Sequence, residues 1–174
     1  FCFAKFKIMK KIIFLRHGKA VMEGPDEQRK LDNDGIVQAK SLANKLNLIL
    51  RNEKFLLYSS PFKRAIQTIK PFVDKSKIKK INVIQSLREI KIGKDQNMTK
   101  HQIIEKMWEN NNFSVDNGES QKTFLKSIEN EMEKIFKSFY EKTDNLILIT
   151  HGNTLGIFLK NFFSINFTFQ SWQE

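Results

Sequence analysis

The sequence predicts an α/β fold, a three-layer α/β/α sandwich around a mostly parallel sheet. Three observations carry that prediction. Short apolar runs at 12–15, 55–58, 81–84 and 146–150 have the length and the β-branched or aromatic content of buried strands. Longer stretches between them place apolar residues at three-and-four spacing, as helices with one buried face do. The two kinds alternate along the chain, and that order wraps helices onto both faces of parallel strands.

The elements follow in order. The run Ile12 to Leu15 stops at Arg16-His17-Gly18 and enters a polar loop with a Gly24-Pro25 turn signal. Asn33-Asp34-Gly35 opens a helix over about 36–50, with Ala39, Leu42, Ala43, Leu46 and Ile49 on its buried face. The strand Phe55 to Tyr58 runs into Ser59-Ser60-Pro61, where Ser60 is a candidate N-cap and Pro61 suits the first helical position. That helix is expected to reach Ile69 and stop near Pro71. After the strand at 81–84, residues 87–92 read as a sheet edge or a loop. A helix over 98–108 carries Ile103, Ile104 and Met107 on one side. An Asn-rich irregular stretch then leads to Ser120, the expected cap of a long helix over 121–140. Its inward positions are Phe124, Leu125, Ile128, Met132, Ile135, Phe136 and Phe139. The last strand, 146–150, delivers His151-Gly152, and a helix over 153–163 follows.

Composition narrows the classes. The 174 residues, 40% of them hydrophobic, suffice for one domain with a real core. The single cysteine, Cys2, excludes an internal disulfide framework and Cys-rich metal sites, and it fits a reducing compartment. Thirty basic against 19 acidic residues give a net charge of +11, which admits an anionic partner. The lysines are scattered, however, with no run of five, and aromatic-basic interleaving is absent, so no nucleic-acid partner is expected. No apolar stretch approaches the ~20 residues of a membrane helix, so no membrane partner is expected either. Residues 1–8 are apolar and basic but carry no small-residue cleavage site, so they read as an N-terminal extension before Met9-Lys10-Lys11, and the expected location is the cytoplasm.

Two buried strands each ending in His-Gly are the strongest functional signal, in a chain with only three histidines. His101, the third, reads as an exposed helix residue. In an open α/β sheet, ligands bind beyond the carboxyl ends of the strands, and both His-Gly pairs belong at that edge. Arginine is scarce, at Arg16, Arg29, Arg51, Arg64 and Arg88 only, in a chain that otherwise uses lysine. Arg16 precedes His17, and Arg64 lies in the helix after Ser60, whose N-terminus itself favours anions. Two arginine forks and two histidines at one edge suit a phosphoryl group: arginine pairs with its oxygens, and histidine can be nucleophile or donor.

These residues resemble the histidine phosphatase superfamily, the phosphoglycerate mutase-like proteins. Leu15-Arg16-His17-Gly18, Ser59-Ser60-Pro61-x-x-Arg64-Ala65-x-Gln67-Thr68, Leu87-x-Glu89, Gly118-Glu119-Ser120 and Thr150-His151-Gly152 occur in that family's order, from Lys11 to about Trp172. Lys19-Ala20 and Phe169-Gln170-Ser171-Trp172 are similar to small bacterial phosphatase-like members. The resemblance implies a single domain over 9–174 that lacks the family's last strand. It implies that His17 is the nucleophile, forming a phosphohistidine, while Arg16, Arg64 and His151 hold the phosphoryl oxygens. Backbone N–H groups near Gly152 and Asn153 would add donors. Glu89 corresponds to the general acid, with Glu23, Asp26 and Glu119 as alternatives. No metal and no cofactor are implied, because cationic side chains carry the charge. The segment Ile90-Lys91-Ile92-Gly93-Lys94 lacks the Gly-Trp pattern of the mutase and broad-phosphatase branch.

The expected activity is therefore hydrolysis of a phosphorylated small molecule or of a phosphoprotein, protein phosphohistidine included. Only 90–118 offers a sizeable covering insertion, which argues against a mutase that must retain its intermediate. A mutase and an inactive phosphate-binding module are the alternatives.

Overall fold

In a computed structural model, which describes residues 10–50, 53–76, 80–166, 168 and 170, four strands run parallel in the order β1-β4-β2-β3. Strand β1 is Lys11–Arg16 and helix α1 is Asn33–Leu50. Strand β2 (Phe55–Ser59) is followed by helix α2 (Lys63–Lys75) and by β3, which has only Asn82–Val83. Helices α3 (Lys100–Glu109) and α4 (Gln121–Lys142) precede β4 (Asn145–Thr150) and α5 (Gly152–Phe162). The predicted α/β architecture is the one observed. The expectations for residues 1–8, for the last strand and for the Phe169-to-Trp172 motif involve residues outside those described.

Alternation along the strands builds two cores. On one face Ile13, Leu15, Leu57, Ile147 and Ile149 meet Ala43, Leu46 and Leu50 of α1 and Ala65, Ile69 and Phe72 of α2. On the other, Ile12, Phe14, Leu146 and Leu148 meet Ile104 and Met107 of α3, Phe124, Ile128 and Met132 of α4, and Ile157 and Phe158 of α5. Every residue of β4 is buried, because it is flanked by strands on both sides and covered on both faces. Among the described residues no helix is long and apolar enough to cross a membrane.

Several boundaries differ from expectation. The N-cap of α2 is Phe62, not Ser60: the Ser60 hydroxyl accepts the Phe62 N–H at 3.2 Å, just ahead of the helix, and also contacts His151 Nε2. Arg64 is therefore in the first turn of a helix that starts at Lys63. Pro71 lies inside α2, which continues to Lys75 with Phe72 buried against the sheet, so tertiary packing outweighs the local cost of proline. On α1 the buried position is Leu50, at 2% exposure, while Ile49 is 50% exposed. The helix turns one residue further than the stripe that would have used Ile49. Residues 87–92 form a loop after a 3₁₀ turn, Gln85–Leu87, and not a sheet edge. Ser120 caps α4 as expected, in a reciprocal capping box with Thr123.

Candidate active site

The parallel ladder extends one residue beyond the strands and thereby fixes the backbone of the site. His17 N–H donates to Thr150 O at 3.0 Å, and Ser60 N–H donates to Ile149 O at 2.9 Å. The loop after His17 is then drawn onto the helices. Gly18 N–H donates to Thr68 Oγ1 (2.9 Å), and Lys19 N–H donates to Gln38 Oε1 (2.8 Å). Gly35 lies backbone to backbone with this loop, since a Cβ there would stand 2.0 Å from Lys19 O.

Arg64 is the centre of the constellation. It is 2% exposed, and its Nε donates to His17 Nε2 at 3.0 Å. Its Nη2 lies 3.0 Å from His151 Nδ1, and the two imidazole rings are 4.9 Å apart, edge to face. His151 is wholly buried, with its Nε2 2.6 Å from Ser60 Oγ. These contacts define both tautomers. His17 Nδ1 faces the carbonyl oxygen of Gly18, at 2.7 Å, so it carries the proton and leaves the Nε2 lone pair to accept from Arg64. His151 accepts from Arg64 at Nδ1 and donates from Nε2 to Ser60.

Electrostatics favour neutral rings. Burial lowers the pKa of His17 to about 4; Arg64, Arg16 and Arg29 add to the effect, and only the Gly18 hydrogen bond opposes it. Burial likewise takes His151 well below its ordinary value, helped by Arg64 and His17. A neutral imidazole whose Nε2 carries the lone pair is the form that can act as a nucleophile, and here that lone pair accepts the Arg64 Nε–H.

A cleft of about 740 Å³ opens over these groups, lined by Arg16, His17, Arg29, Arg64, Glu89, Gly152 and Asn153 among others. Six of the seven residues expected at the site line it. His151 does not: it lies behind Arg64, touching it without an exposed surface. The Arg16 guanidinium is exposed and has no protein partner among the described residues. His101, read from sequence as a surface residue, stands with Lys100 on the far wall.

The structure also separates the four candidate acids. Asp26 forms ion pairs with Arg29 and, at 3.2 Å, with Arg64, so its carboxylate serves as a counter-ion. Burial would raise the pKa of Glu119, but hydrogen bonds from Arg88 at 2.7 Å to each oxygen, and one from Lys91 N–H, bring it below the carboxylate range. Glu23 is exposed and does not line the cleft. Glu89 lines the cleft, and its carboxyl is enclosed closely enough that burial raises its pKa, with Thr154 and Arg64 acting the other way. Glu119 holds the Glu89 segment in place through Arg88 and through its own N–H, which donates to Lys91 O at 2.8 Å.

The sequence did not single out Arg29 and Asp26 as neighbours of Arg64. The scarcity of arginine was the available signal for Arg29, since its fellow rare arginines Arg16 and Arg64 had been singled out. Among the described residues no three His, Cys, Asp or Glu side chains group as a metal site.

A family model described as "Histidine phosphatase superfamily (branch 1)" matches residues 12–172. No curated protein matches the sequence. Among solved structures, one titled "Mycobacterial hydrolase 1" superposes with a TM-score of 0.73 at 20% identity, covering 94% of this chain and 84% of its own. A mycobacterial glucosyl-3-phosphoglycerate phosphatase complexed with VO3 gives 0.71 at 21% identity, over 94% and 85%. A phosphoserine phosphatase variant from Entamoeba histolytica, with phosphoserine, gives 0.62 at 17% identity, over 93% and 83%. At these identities the likeness is one of fold.

Proposed function

The chain belongs to the histidine phosphatase superfamily, and from that premise we propose that it is a phosphatase that hydrolyses phosphomonoesters through a phosphohistidine on His17. The observation that carries this reading is the position of His17: neutral, with Nδ1–H held by Gly18 O and Nε2 directed to the buried fork of Arg64.

In the proposed reaction the phosphoryl group displaces the Asp26 carboxylate from Arg64, and its oxygens take hydrogen bonds from Arg64, Arg16 and the backbone N–H groups at Gly152 and Asn153. His151, behind Arg64, accepts from Nη2 at Nδ1 and so orients the guanidinium that meets the phosphoryl group. As the Arg64 Nε–H passes from His17 Nε2 to a phosphoryl oxygen, the released lone pair attacks phosphorus while the bond to the leaving oxygen breaks. Glu89 gives its proton to that oxygen, and the alcohol leaves. Glu89, now ionised, takes a proton from water as the water oxygen attacks phosphorus. The N–P bond breaks, its electrons return to Nε2, and inorganic phosphate and protonated Glu89 are restored. Every charge is met by a side chain of the chain itself.

The test is turnover of p-nitrophenyl phosphate in the presence of EDTA, alongside small-molecule phosphates and a phosphohistidine peptide. Turnover that persists in EDTA and falls by at least about 10³-fold in His17→Ala supports the reading. Undiminished turnover in His17→Ala sinks the nucleophile, and loss of wild-type turnover in EDTA sinks the metal-free reaction.

A further inference from the structure

One carboxylate bridges two arginines at the cleft. Asp26 Oδ2 accepts from Arg64 Nη2 at 3.2 Å, and Asp26 Oδ1 accepts from Arg29 Nη2. Arg64 Nη1 also donates to the Asp26 carbonyl oxygen. With His17 on Nε and His151 on Nη2, four of the five Arg64 N–H groups are engaged. A phosphoryl group therefore takes up this fork by replacing Asp26. Guanidinium forks accept carboxylate and phosphate in the same planar geometry. The carboxylate thus marks a position where one small anion meets Arg64 and Arg29 together.

The two partners of that carboxylate's ion pairs are held differently. Residues 21–28 are all exposed, and Asp26 follows a turn at Gly24, whose φ is +85°, and Pro25. The Asp26 side chain is 48% exposed, so water is at hand when it leaves. Arg29 stands at the anchored base of the same loop, and its side chain is only 14% exposed. Next to it, Val21 N–H donates to Lys30 O at 2.9 Å, Ala20 and Leu31 form an antiparallel bridge, and Leu31 N–H donates to Gln67 Oε1 at 2.9 Å. Asp26 can turn away to solvent while Arg29 stays. Without Asp26 the Arg29 guanidinium would keep only the Met22 thioether, 3.6 Å from Nη1, since its Nε has no acceptor among the described residues. A largely buried cation stripped of its counter-ion is costly, and the arriving anion removes that cost.

We infer that Arg29 is a phosphate-binding residue whose resting partner, the Asp26 carboxylate, is exchanged for the phosphoryl group when substrate binds. This rests on the reaction proposed above and adds a third arginine to Arg16 and Arg64. Asp26 is then a built-in competitor that sets the affinity for substrate and for the phosphate product.

The probe is inorganic phosphate, titrated calorimetrically into the wild type, Asp26→Asn, Arg29→Gln, and Asp26→Asn combined with Arg29→Gln or Arg29→Lys. Asp26→Asn should tighten phosphate by about three- to tenfold, since the competitor is gone. Adding Arg29→Gln to Asp26→Asn should weaken it by at least about tenfold, the scale of a charge-assisted hydrogen bond. In the wild-type background Arg29→Gln should cost less, because it also loosens Asp26 from the site, and that difference is the signature of exchange. Lysine keeps the charge without the fork, so Arg29→Lys in Asp26→Asn should recover only part of the loss. Affinity is read from the binding-competent fraction, so a partly misfolded variant gives the same constant. No tightening in Asp26→Asn, equal losses in the two backgrounds, or full recovery by lysine overturns the inference, while wild-type turnover of p-nitrophenyl phosphate keeps the phosphatase reading. The expected pattern without any wild-type turnover keeps Arg29 in the phosphate site and overturns the phosphatase reading. No phosphate binding by the wild type or by Asp26→Asn overturns both.

Discussion

His17 is surrounded by charges that make its own protonation unfavourable, and this governs how the protein responds to acid. The unfolded histidines protonate as pH falls through about 6.5, whereas folded His17 does so only near 4 and His151 well below its ordinary value. In that window the unfolded chain binds more protons, so stability falls with pH. Glu89 acts with the opposite sign, because its pKa is raised on folding: between the ordinary 4.5 and its raised value, the fold gains as pH falls. Two histidines against one carboxyl leave a net loss toward acid. Thermal melts from about pH 7 to pH 4 should show Tm dropping, with a shallower drop in His17→Gln. An identical pH slope in that variant would show that His17 is not buried neutral. Activity follows the same groups: turnover is lost in acid as His17 gains a proton, and lost in base as Glu89 gives one up, and the basic limb should vanish in Glu89→Gln.

At the scale of elements, the loop after β1 is held by α1 and α2, which cover the same face of the sheet. Gly35, in the first turn of α1, admits the Lys19 carbonyl to a position that a Cβ would contest at 2.0 Å. Gly35→Ala must push α1 or the loop carrying His17 and Gly18, and neither yields cheaply, because Gly18 is bonded to Thr68 and Lys19 to Gln38. A loss of about 1–3 kcal/mol in denaturant unfolding is expected, together with at least a tenfold loss of turnover as His17 shifts. Wild-type stability with wild-type turnover in Gly35→Ala would show that the close approach does not set the loop. The Arg88–Glu119 pair does the corresponding task on the other side, linking the residues before α4 to the loop that carries Glu89.

For the whole molecule, Arg16, Lys19, Arg29, Arg64 and Lys100 bring positive charge to one cleft, with Asp26 and Glu89 as the carboxyl groups of its lining. An anion that binds only the folded chain must then stabilise it. Inorganic phosphate at about 100 times its Kd should add about 2.7 kcal/mol, or roughly 5–10 °C in Tm for a chain of this size. Arg16→Ala should reduce the shift without lowering the ligand-free Tm, because the Arg16 side chain is exposed and bonds to no described residue. A full phosphate shift in that variant would remove Arg16 from the clamp.

Much of this was legible from local sequence, and the limits have physical causes. Apolar runs and periodicity suffice for strands and helices because burial in a parallel sheet demands them, so the fold and the strand-end placement of Arg16, His17 and His151 could be read directly. The boundaries that failed did so where a tertiary partner overrides a local preference. The Ser60 hydroxyl joins His151 and takes the Phe62 N–H ahead of a helix that starts at Lys63, Pro71 stays helical because Phe72 is packed on the sheet, and Leu50 replaces Ile49 on the buried face. The sequence by itself determined the family, the strand-loop-helix frame and the residue types of the site, because those depend on pattern and spacing. Only the tertiary structure decided that Glu89 is enclosed while Glu119 pairs with Arg88, that Arg64 touches both histidines, and that His151 lies behind it. Those are differences of solvation and contact among residues far apart in the chain, and no local pattern encodes them.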